Sequence, residues 1–308
     1  MTQAPDIAGK HWLMVATLGV TWGATFMVIE IALTGITPFW LAAGRIGFAA
    51  ALMTVIWALR GFRLFAQRPD AGASAILLLV GMLSSAIPFM LLSWGQQFVT
   101  SGFAGVSMAA VALMVLPLAH LMVPGEHMTL RRTAGFLIGF VGVTVLIGGQ
   151  AFASTGAAQE GLGRLACLGA ASCYALSSVC MRRLPPVDPF GLATVLLIIG
   201  CFGVIPAAWV VEGPPPLPDT RTLAVIAVLG LIPTAAANVL RVLLIRSAGP
   251  TFMSLTNYIV PLCSVLFGAA ILSEPLPPSL LLALVLILSG VFLSQWGALR
   301  RLFGQRVG

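Results

Sequence analysis

Arg45 and Glu30 each interrupt a long apolar run, and an ionisable side chain in such a run is costly unless it has work to do. Arg45 lies two turns past the Pro38 that opens its run, a depth of about 10–12 Å at the helical rise. Glu30 lies one turn before the end of the preceding run. The pair is expected to meet, with Arg45 holding a carboxylate-bearing substrate or setting a gate with Glu30. The alternatives are a structural salt bridge or an Arg45 that reaches outwards. Arg241 lies a turn and a half from the end of a later run and is expected to extend to the interface, as is Arg246. His120 and His127 have no second ligand type spaced with them, so no metal is expected there.

The neutral polar groups in apolar runs are the other binding candidates. They are Trp22, Ser84, Ser85, Trp94, Gln97, Tyr174, Ser177, Asn238, Asn257 and Tyr258, with Thr25, Gln96 and Thr256 nearby. Amides, hydroxyls and aromatic rings together suit a zwitterion of amino-acid size with an apolar side chain. Single Ser and Thr residues also serve as interhelical glue, so the larger Gln97, Asn238 and Asn257 carry more of this reading. Trp94 fits an interfacial belt equally well.

These residues are embedded in an unusual composition. Hydrophobic residues make up 59% of 308 and charged residues 8%. The mean hydropathy is +1.04. Soluble domains carry about a quarter charged residues, so a water-facing surface is excluded and a lipid-facing one is expected. The net charge of +7 forms no basic face, which argues against nucleic acid. Cys167, Cys173, Cys180, Cys201 and Cys263 all lie in apolar segments without a CxxC pair and read as small buried groups. Lys10 precedes a first spanning helix, not a cleaved signal.

A spanning helix needs about 20 apolar residues. Cutting at Pro, Gly and charge clusters gives spans 12–33, 38–59, 73–97, 101–123, 130–150, 162–183, 189–210, 221–246, 249–273 and 277–298. With the N-terminus inside, Lys10, Arg60, Arg63, Arg68, Arg131, Arg132, Arg182, Arg183, Arg246, Arg300, Arg301 and Arg306 all fall on the inner side. Only Arg164 and Arg221 fall outside. This segregation predicts both termini in the cytoplasm of an inner-membrane, multi-pass protein.

The chain also repeats. An offset of 148 lays Glu126 on Glu274 and Gly142 on Gly290. Offsets of 151 and 152 lay Pro38 on Pro189 and Trp22 on Tyr174. Five helices per copy is odd, so the second copy must enter from the opposite side. The predicted organisation is an N-terminal tail 1–11, a first repeat 12–150, an inverted repeat 151–298 and a basic tail 299–308. The fold class is all-α, ten helices in two inverted five-helix repeats around a central cavity. Pro88 matches Pro233 and Pro117 matches Pro261 as mid-helix prolines, which are expected to act as hinges beside that cavity. Gly19-x-x-x-Gly23 and Gly135-x-x-x-Gly139 predict close helix crossings.

The stretches GVTWGATFMVIEIALTGITPFWLAAGRIGFAALM, VPGEHMTL and LSEPLPP carry a resemblance. Their Trp-Gly start, helix-opening Pro, internal Arg and duplicated Gly/Ser-Glu turn resemble the drug/metabolite transporter superfamily, in its ten-helix EamA-like exporter branch. The resemblance covers essentially the whole chain. It implies a pseudo-two-fold bundle that exports small metabolites. Three departures concern the substrate: Glu30 stands where a basic residue is common, Leu113 and Pro117 displace an expected proline, and helix 3 ends in WGQQF.

The function expected is therefore secondary export of small metabolites, foremost apolar or aromatic amino acids, by alternating access. A drug or nucleotide-sugar-like cargo is the alternative, and an intramembrane enzyme the remote one. No H-E-x-x-H, G-x-S-x-G or Walker A sequence is present, and no cofactor is expected. Phosphorylated cargo would want more buried basic groups than Arg45 and Arg241. All nine carboxylates lie in loops or near helix ends, which predicts a facilitator or weak proton coupling. The expected partners are a small-molecule substrate and the bilayer, with oligomeric state open and a monomer admitted.

Overall fold

The computed structural model describes residues 7–65, 69–123, 125–148 and 159–304. Arg68, Arg306, the linker around 150/151 and the ends of both tails lie outside the described residues. Ten helical segments follow one another: α1 Gly9–Leu33, α2 Pro38–Leu59, α3 Ala71–Gly95, α4 Ser101–Met122, α5 Leu130–Gly148, α6 Glu160–Met181, α7 Pro189–Glu212, α8 Thr220–Pro250, α9 Thr256–Leu272 and α10 Pro278–Gly304. Among the described residues nine are long and apolar enough to cross a bilayer, and α9 is a shorter apolar helix of 17 residues. α10 continues through Gly304, so much of the expected 299–308 tail is helical.

Sequence-local chemistry sets the helix starts. Pro38 and Pro189 occupy first turns, where a missing N–H costs nothing. The Asp70, Thr100, Asp188 and Asp219 side chains cap α3, α4, α7 and α8 by accepting from backbone N–H groups.

The strongest packings are α5 with α10, α3 with α6, α2 with α7, α1 with α9, α4 with α6, α3 with α7 and α4 with α9. Adding five to a helix number in one half returns a pairing present in the other: α1–α9 corresponds to α6–α4, and α3–α6 to α8–α1. Close approach explains the glycine motifs. A methyl group on Gly135 would lie 2.6 Å from the Gly290 carbonyl oxygen across the α5–α10 crossing, and one on Gly23 would lie 2.9 Å from the Val260 carbonyl oxygen of α9.

One apolar core gathers Phe26, Phe103, Leu113, Leu280 and Ile287, and a second gathers Ile46, Met53, Phe89, Leu197 and Val204. Tyr174 borders both. Large side chains such as Leu59, Leu121, Phe202 and Val210 are exposed on the outside of the bundle, which is a lipid-facing surface and not a water-facing one.

Several arginines gather at one end, while Arg164 and Arg221 stand at the starts of α6 and α8. Arg182 and Arg132 meet Glu126, Arg60 and Arg246 meet Asp188, and Phe65 bridges to Val187. This is called the arginine end. At the opposite end Glu212 accepts from Thr37 Oγ1 and from the Phe39 and Trp40 N–H groups, capping α2, and Glu274 reaches the start of α4.

Candidate functional site

Both α3 and α8 widen into a π-helical turn, at Met82–Ala86 and Gly230–Ala236. Each turn sits at a matched proline, Pro88 or Pro233. A proline withdraws the N–H that the carbonyl four residues earlier would accept, and a π turn is one way for the chain to absorb that loss. In α8 the carbonyl left free by Pro233 belongs to Leu229, and the Thr234 hydroxyl donates to it at 2.8 Å. The Pro233 carbonyl in turn accepts from the Trp22 indole N–H at 2.9 Å. Asn238 donates to the Thr234 carbonyl. The sequence signalled the prolines but not the π turns, which need the tertiary fit of α8 against α1 and α2.

Arg45 completes this cluster. Its Nε donates to Thr234 Oγ1 at 2.8 Å, and its guanidinium lies over the Phe89 ring, 4.1 Å from the centroid. Arg45 is 7% exposed, and no carboxylate among the described residues pairs with it. The expected Arg45–Glu30 pair does not form. Glu30 instead faces Glu274 and the Ser101 backbone. The reason is the direction of α1, which turns Glu30 towards α4 and α9 while Arg45 points across α2 to α8. Tyr174 of α6 is close enough to Arg45 to act on it electrostatically.

Of the residues expected from sequence, Trp22, Arg45, Tyr174, Asn238 and Pro233 therefore converge, joined by Thr234 and Phe89. Ser84 and Ser85 sit on the π turn of α3, Ser85 buried and the Ser84 hydroxyl buried without a partner. Ser177 is buried and donates to the Tyr174 carbonyl at 3.0 Å. Pro88 and Pro261 are buried, and Pro117 is half-buried within α4. Gln97 and Asn257 are exposed, and Trp94 stacks edge-on with Phe98 near Gln97. Gln96 takes the buried place instead: it is 4% exposed and donates to the Phe26 carbonyl at 2.8 Å.

Thr234, Asn238 and Arg241 follow at helical spacing and form one polar stripe on α8. The Arg241 Nε is buried without a partner, which does not fit a side chain extended to the interface. Tyr258 has a buried, unpartnered hydroxyl beside a cavity of about 600 Å³ lined by Trp12, Ile259, Phe292, Trp296 and Arg300. At the arginine end a smaller cavity of about 100 Å³ lies among His120, Glu126, His127, Arg132 and Arg182. No group of metal-ligating side chains is present among the described residues.

The arrangement offers a buried cation, aromatic faces and amide groups in an apolar bundle, which suits reversible binding of a small organic molecule. Comparison with known proteins agrees with a carrier. YedA of Escherichia coli K12, an uncharacterized inner membrane transporter, is 27% identical over 91% of this chain and 89% of its own. YoaV of Bacillus subtilis, an uncharacterized transporter, is 23% identical over 95% and 99%. A probable terminal-alkyne amino-acid exporter of Streptantibioticus cattleyicolor is 29% identical over 47% and 48%. One solved crystal structure shares the fold with a TM-score of 0.65 at 20% identity, over 94% of this chain and 99% of its own. The EamA-like transporter family matches residues 10–148 and again 161–296, so this multi-pass membrane protein belongs to that family and is a transporter, not an enzyme.

Proposed function

We propose that the protein exports apolar or aromatic amino acids by alternating access, with Arg45 receiving the substrate carboxylate. The observation that carries this reading is a buried guanidinium with no carboxylate of its own, held in place by Thr234 and Phe89. A buried charge lacking a protein counter-ion is stabilised when an anionic group arrives. Asn238, Trp22 and Tyr174 border the same place and complete an amphipathic lining. The amino-acid exporter among the relatives supports the same cargo.

The two halves, 12–150 and 151–298, are taken to insert in opposite senses in the inner membrane, both termini cytoplasmic, and to rock about the matched prolines Pro88, Pro233, Pro117 and Pro261. The gathering of arginines at one end supports this orientation. Labelling that placed residues 64 and 303 on opposite sides would reject it.

The deciding experiment is counterflow of single L-amino acids in liposomes holding the purified protein. Saturable, competed uptake of L-phenylalanine or L-leucine is expected. Phenylethylamine, which lacks the carboxylate, should compete poorly. Arg45→Ala should raise the half-saturation concentration about 10- to 100-fold, the worth of a charge-assisted hydrogen bond. Equal competition by phenylethylamine, or an unchanged Arg45→Ala protein, would reject the assignment.

A further inference from the structure

α1 and α9 run side by side and press together at two glycines. A methyl group on Gly19 would lie 2.6 Å from Ile259 Cβ, and one on Gly23 would lie 2.9 Å from the Val260 carbonyl oxygen. α1 starts at the arginine end, since its other end joins α2 beside Glu212. Towards that start the contact opens, and the cavity of about 600 Å³ lies between Trp12 and Val15 of α1 and the beginning of α9. α10 closes the far side. Phe292, Trp296 and Arg300 follow at spacings of four and stand on one face of α10. Trp12, Phe292, Trp296 and Arg300 are exposed, so the cavity is a groove on the outside of the bundle. No residue of the Arg45 cluster lines it.

The walls are held in place. Trp12 rests edge-on against Phe252 with ring centroids 5.0 Å apart, and Trp296 against Phe292 at 5.2 Å. The Ser254 hydroxyl donates to Gln295 Oε1 at 3.1 Å and ties α10 to the turn before α9.

Depth and charge select the occupant. Arg300 is eight residues from Phe292, about 12 Å along the helix. The hydrocarbon core of a bilayer is about 30 Å thick, so the groove spans most of the apolar depth of one leaflet. Tryptophan favours the boundary between headgroups and hydrocarbon, and Trp12 and Trp296 stand at the Arg300 end. Among the described residues nothing pairs with Arg300. The carboxylates at this end are engaged elsewhere, Glu126 with Arg132 and Arg182 and Asp188 with Arg60 and Arg246. A methyl group on Gly297 would lie 2.5 Å from an Arg131 guanidinium nitrogen, so a second cation borders the same turn of α10. The chain's own ends do not suit the groove. Residues 1–6 (MTQAPD) and 305–308 (QRVG) each offer one large apolar side chain, and the second stretch carries Arg306, which Arg300 repels.

We propose that this groove binds one anionic phospholipid from the leaflet on the arginine side, with an acyl chain along Tyr258, Phe292 and Trp296 and the phosphate paired with Arg300. A basic site between spanning helices selects anionic headgroups by charge, and the groove supplies the apolar surface for the rest of the same molecule. The lipid fills the gap between α1 of the first repeat and α9 and α10 of the second. The site stands apart from the Arg45 cluster and requires no particular cargo.

The test uses the full chain in phosphatidylcholine nanodiscs, with a phosphatidylglycerol that carries a photoactivatable diazirine in one acyl chain. Labelled residues are mapped by peptide mass spectrometry. Labelling should concentrate at 255–259 and 292–299, above that of the outward-facing stretch 202–210 of α7. Unlabelled phosphatidylglycerol should compete about fivefold better than phosphatidylethanolamine of the same chains, the worth of one arginine beside an anionic headgroup. Arg300→Gln, at an exposed position, should bring the two competitors within about twofold of each other. Trp296→Ala, also exposed, should lower labelling of the groove and leave α7 unchanged. Equal competition by the two lipids in wild type, a measurement that needs no variant, would overturn the proposal. So would groove labelling no higher than that of α7, or an Arg300→Gln protein that keeps the preference. Labelling that appears only after residues 1–6 or 305–308 are deleted, or only in monomer separated from dimer, would assign the groove to the chain's ends or to a second copy and overturn the lipid reading. No substrate enters the assay, so failure of the amino-acid reading leaves this result standing.

Discussion

The Glu126 and Glu274 turns are copies in sequence and opposites in structure. Glu126 is half-open, with 35% of its side chain exposed, and it meets Arg132 at 3.0 Å and Arg182 at 3.2 Å. Glu274 meets no cation in an ion pair among the described residues and instead accepts from two backbone N–H groups. The offset of 148 explains the divergence. It lays Gly268 on His120. Gly268 leaves room for the carboxylate to fold under α9. At the other turn the matching position is His120, which is exposed and has its Nδ1 3.1 Å from the Glu126 carbonyl oxygen. The two turns thus differ in partners: arginine side chains at Glu126, backbone N–H groups of α4 at Glu274.

The contrast is broken most directly by truncating both acids. Glu274→Ala leaves two N–H groups of α4 unsatisfied in a buried setting and should cost about 2–4 kcal/mol. Glu126→Ala removes half-exposed ion pairs and should cost about 0–1 kcal/mol. Thermal unfolding in detergent measures both, and equal losses would erase the distinction. Gly268→Ala comes next, at about 1–3 kcal/mol for forcing a methyl group into the carboxylate's space.

Acid sharpens the comparison at the other turn. Burial pushes the Glu126 carboxyl upward, but hydrogen bonds and charge from Arg132 and Arg182 outweigh it and hold the group below its ordinary 4.5. A lowered folded-state value means the stabilisation is complete above the unfolded value and disappears as pH falls through the folded one. The stability gap between wild type and Glu126→Gln should therefore close below about pH 4.5, with a total size under about 1 kcal/mol given the exposure of the pair. A gap that stayed constant into strong acid would contradict the ion pairs. Arg182→Ala should have the smallest effect, a few tenths of a kcal/mol that about 1 M salt abolishes by screening.

Much of the fold was legible because it depends on local sequence. The apolar runs located most helices to within a few residues, although α9 begins at Thr256 and not at 249, and Pro38 marked a start that the structure keeps. Gly135 and Gly23 sit in tight crossings, since a missing side chain is itself the signal. The site was less legible. Gln97 and Gln96 are adjacent, and a rotation of about 100° per residue decides which one faces inward. Gln96 does. The Arg45–Glu30 pairing failed for a related reason, because proximity in depth says nothing about azimuth. The π turns of α3 and α8 have no local signature beyond their prolines.

What the sequence determined alone was the solvent: 59% hydrophobic and 8% charged residues demand a bilayer, and in a bilayer backbone groups must be satisfied within helices. It also determined the duplication, because repeated residues remain visible without coordinates. Only the tertiary structure decided who meets whom. α1 packs on α9 and α2 on the π turn of α8, so Thr234, the hydrogen-bond partner of Arg45, comes from the far half of the chain while Phe89 comes from the near one. Charge pairing and burial follow from those long-range contacts. No local pattern encodes them, since each depends on which face a distant helix turns towards the site.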